Sequence, residues 1–263
     1  MKRGKHSITL QFTYSADLRG EMTSHSDIAA GIVTTIVQTS CENRWFWPNP
    51  TVPKVQQWFE AGPFPIGGPR EIQSGVDLPR KDEYLHAPSD CQLGIKKRGG
   101  KEGIEINGLL AITDTRVRFG NTEIAAQPWA KWASTSLKLE DSSLTTIRKL
   151  RQLRKFKVVE NAVDEIQLGA NEEIFYPRID RIPESCNVEV TKLSWAENCE
   201  AMTLGFEAFR TLRTVEANLR KTIGYLSDRS TISDISDAVE LSYPDWLARV
   251  VWSRNDRPVL VKD

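Results

Sequence analysis

The sequence carries no surplus charge of either sign: 35 Lys and Arg balance 35 Asp and Glu in 263 residues. Such a chain has no overall field to gather nucleic acid or an anionic membrane, so electrostatic recognition must come from local segregation of charge. No run comes near the roughly 20 apolar residues that a membrane span needs. Lys2, Arg3 and Lys5 are followed by no apolar stretch of the kind a secretory signal requires, so a cytoplasmic location is expected. Cysteine is sparse: Cys41, Cys91, Cys186 and Cys199 form no CxxC pair and no zinc spacing, and each reads as a small buried hydrophobe. His6, His25 and His86 are too scattered to support a catalytic constellation. Gly67-Gly68 and Gly99-Gly100 read as turns, because neither leads into the Lys-Ser/Thr helix start of a phosphate loop.

What is present is an ordinary globular composition, 40% hydrophobic and 27% charged, on a chain long enough to bury a substantial core. Residues 1–30 are polar and without sustained periodicity, and read as a flexible N-terminal segment. The β-branched stretch 32–37 favours a strand that runs on to Trp47 and is stopped by Pro48 and Pro50. Residues 52–59 fit a short amphipathic helix with Pro53 in its first turn, and 62–69 form a Gly- and Pro-rich loop. Strands are expected over 80–86, 91–98, 103–110, 114–119, 187–193 and 202–209, with Gly99-Gly100 as a hairpin signal. Residues 144–159 read two ways. Leu144, Ile147, Leu150 and Leu153 recur every third position, which suits a helix, while 155–159 suits a strand. Residues 211–226 read as a helix, and Ser242 with Pro244 opens another that runs to about Trp252. Antiparallel strands followed by terminal helices predict an α+β protein with a strongly curved sheet or barrel.

The strands alternate apolar and charged residues. Because successive strand side chains point to opposite faces, Lys96 and Arg98 share one face and Leu93 and Ile95 the other. Arg116 and Arg118 oppose Val117 and Phe119, Glu189 opposes Val188 and Val190, and Glu207 opposes Phe206 and Ala208. Ser40, Glu42 and Arg44 share a face, as do Arg80, Asp82 and Tyr84. Pattern alone permits a sheet with one solvated face. That is the norm for antiparallel sheets; the sharper reading is a closed sheet whose charged face turns inward and needs something to fill it. Mixed Arg, Lys and Glu suits a metal–polyphosphate complex, with cations on phosphate oxygens and carboxylates on Mg²⁺ or Mn²⁺.

The order of these residues resembles the CYTH-like, or triphosphate tunnel, superfamily over roughly 35–210. Ser40, Glu42 and Arg44 stand where that family opens with Glu, Glu and Lys. Asp82 and Tyr84 match its acidic–aromatic strand, Lys96 and Arg98 a basic strand, and Glu189 and Glu207 its closing acidic strands. The segments ArgTrpPheTrp (44–47), LeuGlyIleLys (93–96) and ThrLeuGlyPheGluAlaPhe (203–209) are similar to bacterial proteins of this type. The resemblance implies an eight-stranded antiparallel, closed or nearly closed β-barrel over 31–210, a tunnel with flanking helices, and a C-terminal helical extension over 211–263 packed on it. It implies a metal-dependent phosphohydrolase acting on a small triphosphate-containing molecule such as tripolyphosphate or a nucleotide. In that reading Glu42 and Glu207 are catalytic, Glu42, Glu189 and Glu207 hold Mg²⁺ or Mn²⁺, and Arg44, Arg80, Lys96, Arg98, Arg116 and Arg118 hold the phosphates. Ser40 and Asn107 depart from the family pattern, where a Glu and a Lys are expected. Those departures favour the alternative, a non-catalytic polyphosphate- or nucleotide-binding module on the same fold. A third reading uses the basic run Arg148, Lys149, Arg151, Arg154, Lys155 and Lys157 for nucleic acid; such a run is more often a solvated face, and no nucleic-acid or membrane partner is expected.

Overall fold

The computed structural model describes residues 36–61, 78–87, 90–139, 144–160, 162–166, 168, 184–229, 235 and 237–253. The readings of 1–30, of 32–35 and of the 62–69 loop fall outside them. In chain order the strands are β1 (Ile36–Trp47), β2 (Leu78–Leu85), β3 (Leu93–Arg98), β4 (Ile104–Leu109), β5 (Arg116–Phe119), β6 (Thr122–Ala125), β7 (Gln127–Ser134), β8 (Leu144–Val159), β9 (Ala162–Ile166), β10 (Ser185–Ala196), β11 (Cys199–Arg210) and β12 (Val239–Glu240). The helices are α1 (Pro53–Ala61), α2 (Val215–Arg229) and α3 (Tyr243–Trp246), which continues as a π-helical turn over Leu247–Val251.

Eight strands close into an antiparallel barrel in the order β10-β11-β1-β7-β4-β3-β2-β8, and β8 pairs with β10 to complete the ring. The long β8 makes closure possible. One edge of it pairs with β10 over Arg148–Lys157. The other edge pairs with β2 over Leu144–Arg151 and with β9 beyond. Residues 144–159 are therefore one 16-residue strand, not a helix. Its leucines recur every third position because they are shared between the two faces of a strand, not stacked on one side of a helix. The Gly99-Gly100 turn joins β3 to β4, with Gly100 at a left-handed φ of 80° that favours glycine.

Residues directly opposite in an antiparallel ladder share a face, so the register fixes what points inward. Glu42 faces Glu207, which faces Asn187, which faces Lys155. The alternate residues point outward. Trp45, Phe206, Val188 and Phe156 there pack under α1, α2 and the β5–β6 hairpin with Trp58, Phe119, Leu219 and Ile223. The larger hydrophobic core thus lies outside the barrel wall, and the charged face lies inside.

The C-terminal segment closes one end of the barrel. Phe46, Tyr84, Ile147, Leu193 and Ala201 form an apolar layer there with Leu241, Trp246, Leu247 and Val250. Trp246 stacks on Phe46, centroids 5.0 Å apart and planes 7° from parallel. Ser242 caps α3 by accepting a hydrogen bond from the Asp245 amide at 3.1 Å, and Pro244 occupies the first turn, as the sequence reads. No helix among the described residues is long and apolar enough to cross a membrane.

Candidate functional site: a charged cavity inside the barrel

Beyond this plug the barrel encloses a cavity of about 520 Å³. Nine basic side chains and four carboxylates line it among the described residues. Of the residues singled out from sequence, Glu42, Arg44, Arg80, Lys96, Arg98, Glu189 and Glu207 meet there, together with Asn107. Arg116 and Arg118 do not. They are exposed on β5, which pairs with β6 in a two-stranded sheet outside the barrel. Their strand alternates as expected, but Val117 and Phe119 press it onto the outer core, so the arginines face away from the cavity. The basic run of β8 is divided by the strand period: Lys149, Arg151 and Lys155 line the cavity, whereas Arg154 turns outward to Glu165 and the Phe59 carbonyl. It is not one continuous cationic face.

The charges form four groups. Asp82, fully buried, sits between Arg80 at 2.9 Å, Lys149 at 3.0 Å and Lys96 at 3.6 Å. Glu105 meets Lys96 at 3.2 Å, Arg98 at 3.5 Å and Lys101 at 3.9 Å. Glu189 meets Arg44 at 2.6 Å and Arg151 at 3.4 Å. Lys131 bridges Glu42, at 2.6 Å, and Glu207. Gly205 makes the third group possible, since a Cβ there would stand 2.5 Å from the Arg44 Cζ.

Burial alone would raise the carboxyl groups of Asp82, Glu189 and Glu42, because it disfavours the charged form. The cations overcome it. Lys149, Lys96 and Arg80 hold Asp82 well below the usual carboxylate range. Arg44 and Arg151 do so for Glu189, and Lys131 and Arg44 lower Glu42. Burial would likewise pull the Lys131 ammonium down, but Glu207 and Glu42 keep it above the ordinary lysine value. Lys149 is the exception. Burial draws its amine well below the ordinary value, Asp82 opposes that, and Lys96 and Arg80 add to it.

The floor of the cavity is aromatic. Tyr243 and Pro244 from α3 line it beside Tyr84. The Lys149 ammonium donates to the Tyr84 hydroxyl at 2.8 Å and lies 3.9 Å from the Tyr243 ring centre. The buried hydroxyl of Tyr243 and the buried Oδ1 of Asn187, both lining the cavity, have no hydrogen-bond partner among the described residues.

The fit of the acidic residues to a divalent metal can be read from this geometry. Glu42 and Glu207 face each other, but they already hold an ammonium. Glu189 is committed to two arginines. Ser40 donates its hydroxyl to Glu42 at 3.1 Å and supplies no third carboxylate. Among the described residues no group of three or more His, Cys, Asp or Glu is placed to hold a metal ion. Sequence reasoning missed Lys101, Lys131 and Tyr243 as cavity residues, and reached Lys149, Arg151 and Lys155 only as members of the basic run 148–157. For Lys131 a signal was present: Trp129, Lys131 and Ala133 alternate on one face of β7. No protein-family model matches this chain, and neither does any curated protein or solved structure.

Proposed function

We propose that the barrel is a binding module for a compact, multiply charged phosphorylated anion, tripolyphosphate or nucleotide-like in character. The observation that carries this reading is the segregation of charge. A chain of zero net charge gathers nine basic side chains around one cavity against four lining carboxylates, or five with the buried Asp82. Surplus cations inside a low-dielectric wall repel one another, and an entering anion relieves that cost. Arginine offers paired N–H donors that match phosphate oxygens. The Tyr243 hydroxyl and Asn187 amide oxygen, unpartnered among the described residues, give a ligand neutral polar contacts as well.

Calorimetric titration with tripolyphosphate, ATP and inorganic phosphate tests the proposal. Binding is expected to be tightest for the most highly charged anion and to weaken as salt is added, because screening weakens the attraction. The pair of substitutions Arg98→Ala and Lys155→Ala, both in the cavity wall, should weaken it by about tenfold or more. Absence of heat or thermal stabilisation with all three anions at millimolar concentration would refute it.

A hydrolytic reading uses the same cavity, and one observation favours it: Glu42 and Glu207 oppose each other across β1 and β11 and grip a cation. A divalent metal in such a place supplies polarisation of the phosphoryl group and a positioned water. Phosphate release from tripolyphosphate in Mg²⁺ or Mn²⁺, lost in Glu207→Ala, would establish this second reading. The binding module is preferred because the carboxylates are already neutralised by the protein's own cations.

A further inference from the structure

The Lys131 ammonium occupies a place in the cavity where two carboxylates of adjacent strands converge. Glu42 and Glu207 are direct cross-strand partners on the inward face. Lys131 comes from β7, on the far side of β1, and reaches both carboxylates. All three side chains are about four-fifths buried. Mg²⁺ binds oxygen at about 2.0–2.1 Å, and the ammonium stands 2.6 Å from one of the same oxygens. Metal and ammonium therefore cannot share the pair. Displacing Lys131 would return its charge to a wall already crowded with cations. The next carboxylate, Glu189, is held by Arg44 and Arg151, Ser40 presents a donor to Glu42, and the Asn187 amide oxygen beside Glu207 adds an acceptor but no charge.

From this geometry we infer that Lys131 is a built-in cation, which takes the position a divalent ion would need between Glu42 and Glu207, so that the barrel binds its anion free of metal. The anion in question rests on the function proposed above; the cation position does not. Two consequences have opposite signs. In the native protein, added Mg²⁺ sequesters a polyphosphate in solution and weakens its binding. With the ammonium removed, as in Lys131→Met, the two freed carboxylates form a divalent-cation site, and binding of the polyphosphate comes to depend on metal.

The experiment has two arms. In the first, Mn²⁺ is titrated without any anion and free Mn²⁺ is followed by electron paramagnetic resonance. The native protein and Lys131→Arg should take up no stoichiometric Mn²⁺. Lys131→Met should take up one ion per chain and lose it when Glu42→Gln is added. Stoichiometric uptake by the native protein, abolished by Glu42→Gln, would overturn the inference whether or not Lys131→Met folds; so would a folded Lys131→Met that binds none. In the second arm, tripolyphosphate is titrated in EDTA and in Mg²⁺. Native affinity should be undiminished in EDTA and lower in Mg²⁺, whereas affinity that collapses about tenfold or more in EDTA would overturn the inference. If tripolyphosphate binds in neither buffer, the anion-binding function falls, and the Mn²⁺ arm alone decides the role of Lys131.

Discussion

Tyr243 lies flat against Tyr84, with ring centroids 5.7 Å apart and planes 6° from parallel. That contact joins α3 to β2 of the barrel. It turns the C-terminal segment into the floor of the cavity. Next to it, Trp246 fills the barrel end against Phe46 and Trp195. The plug is thus a part of the core that arrives from the far end of the sequence.

Trp246→Ala should therefore behave as a core deletion. The side chain is fully buried, and large aromatic-to-alanine changes in cores cost about 3–5 kcal/mol. Urea unfolding followed by tryptophan fluorescence and circular dichroism should show the lower midpoint in both signals. A midpoint unchanged within error would mean that the segment does not hold the barrel end in solution.

Tyr243→Phe separates stability from binding. Its hydroxyl is buried and unpartnered among the described residues, and an unsatisfied buried polar group costs about 1–3 kcal/mol. The variant should be as stable as the native protein or more so, since the ring stacking is kept. If the hydroxyl meets the anion, affinity for tripolyphosphate should fall several-fold in the same variant. Loss of both stability and affinity would mean the hydroxyl has a partner in the free protein.

Much of this arrangement is legible in the sequence because a strand's period of two is strict. In β1, β3, β10 and β11 the charged residues alternate with apolar neighbours, which puts Glu42 with Arg44, Lys96 with Arg98, Glu189 opposite Val188 and Val190, and Glu207 opposite Phe206 and Ala208. The α+β class follows from the same strands and the terminal helices, whereas the eight-stranded antiparallel barrel is what the family resemblance implies and the structure shows. Closure itself does not follow from any one strand. Arg116 and Arg118 alternate as well as any barrel residue, and only the pairing of β5 with β6 places them outside. In β8 both faces carry leucine, since its inner face runs from the apolar plug to the charged cavity. Local periodicity cannot show that change. Tyr243 enters the cavity through tertiary contact alone, and nothing near Ser242 and Pro244 in sequence announces it.

Asp82 and its neighbours predict how the fold responds to acid. Burial pushes its carboxyl up, but three cations hold it well below the usual range, and Glu189, Glu42 and Glu105 are also lowered. The unfolded chain then binds protons more readily than the native state as pH falls through the ordinary carboxyl range. Stability from these groups is complete above about pH 5 and drains away below about pH 4. Glu240, which burial pushes upward, works in the opposite direction but stands alone against four. Urea midpoints measured from pH 7 to pH 3 should fall steeply at the acid end. Asp82→Asn should cost about 3–5 kcal/mol at neutral pH, because it leaves buried cations uncompensated, and should flatten the acid dependence.

Lys149 carries the opposite sign. Its amine is harder to protonate in the folded protein than in the unfolded chain, since burial and then Lys96 and Arg80 outweigh Asp82. The unfolded state binds the extra proton, so this residue's contribution makes the fold more stable as pH rises toward the ordinary lysine range. A lysine amine lowered in this way is also nucleophilic nearer neutrality than its surface counterparts. Lys149 is almost wholly buried but lines the cavity, so a small acylating reagent such as acetic anhydride can reach it from inside. With peptide mass spectrometry over a series of pH values, the modification rate of Lys149 should reach half its maximum at a lower pH than that of the exposed Lys81. Tripolyphosphate should protect Lys149 and leave Lys81 unaffected. If the two lysines share one pH profile, the lowered amine at the cavity floor is refuted. If Lys149 keeps the lower profile but is unprotected by the anion, the lysine assignment stands and anion binding within its reach does not.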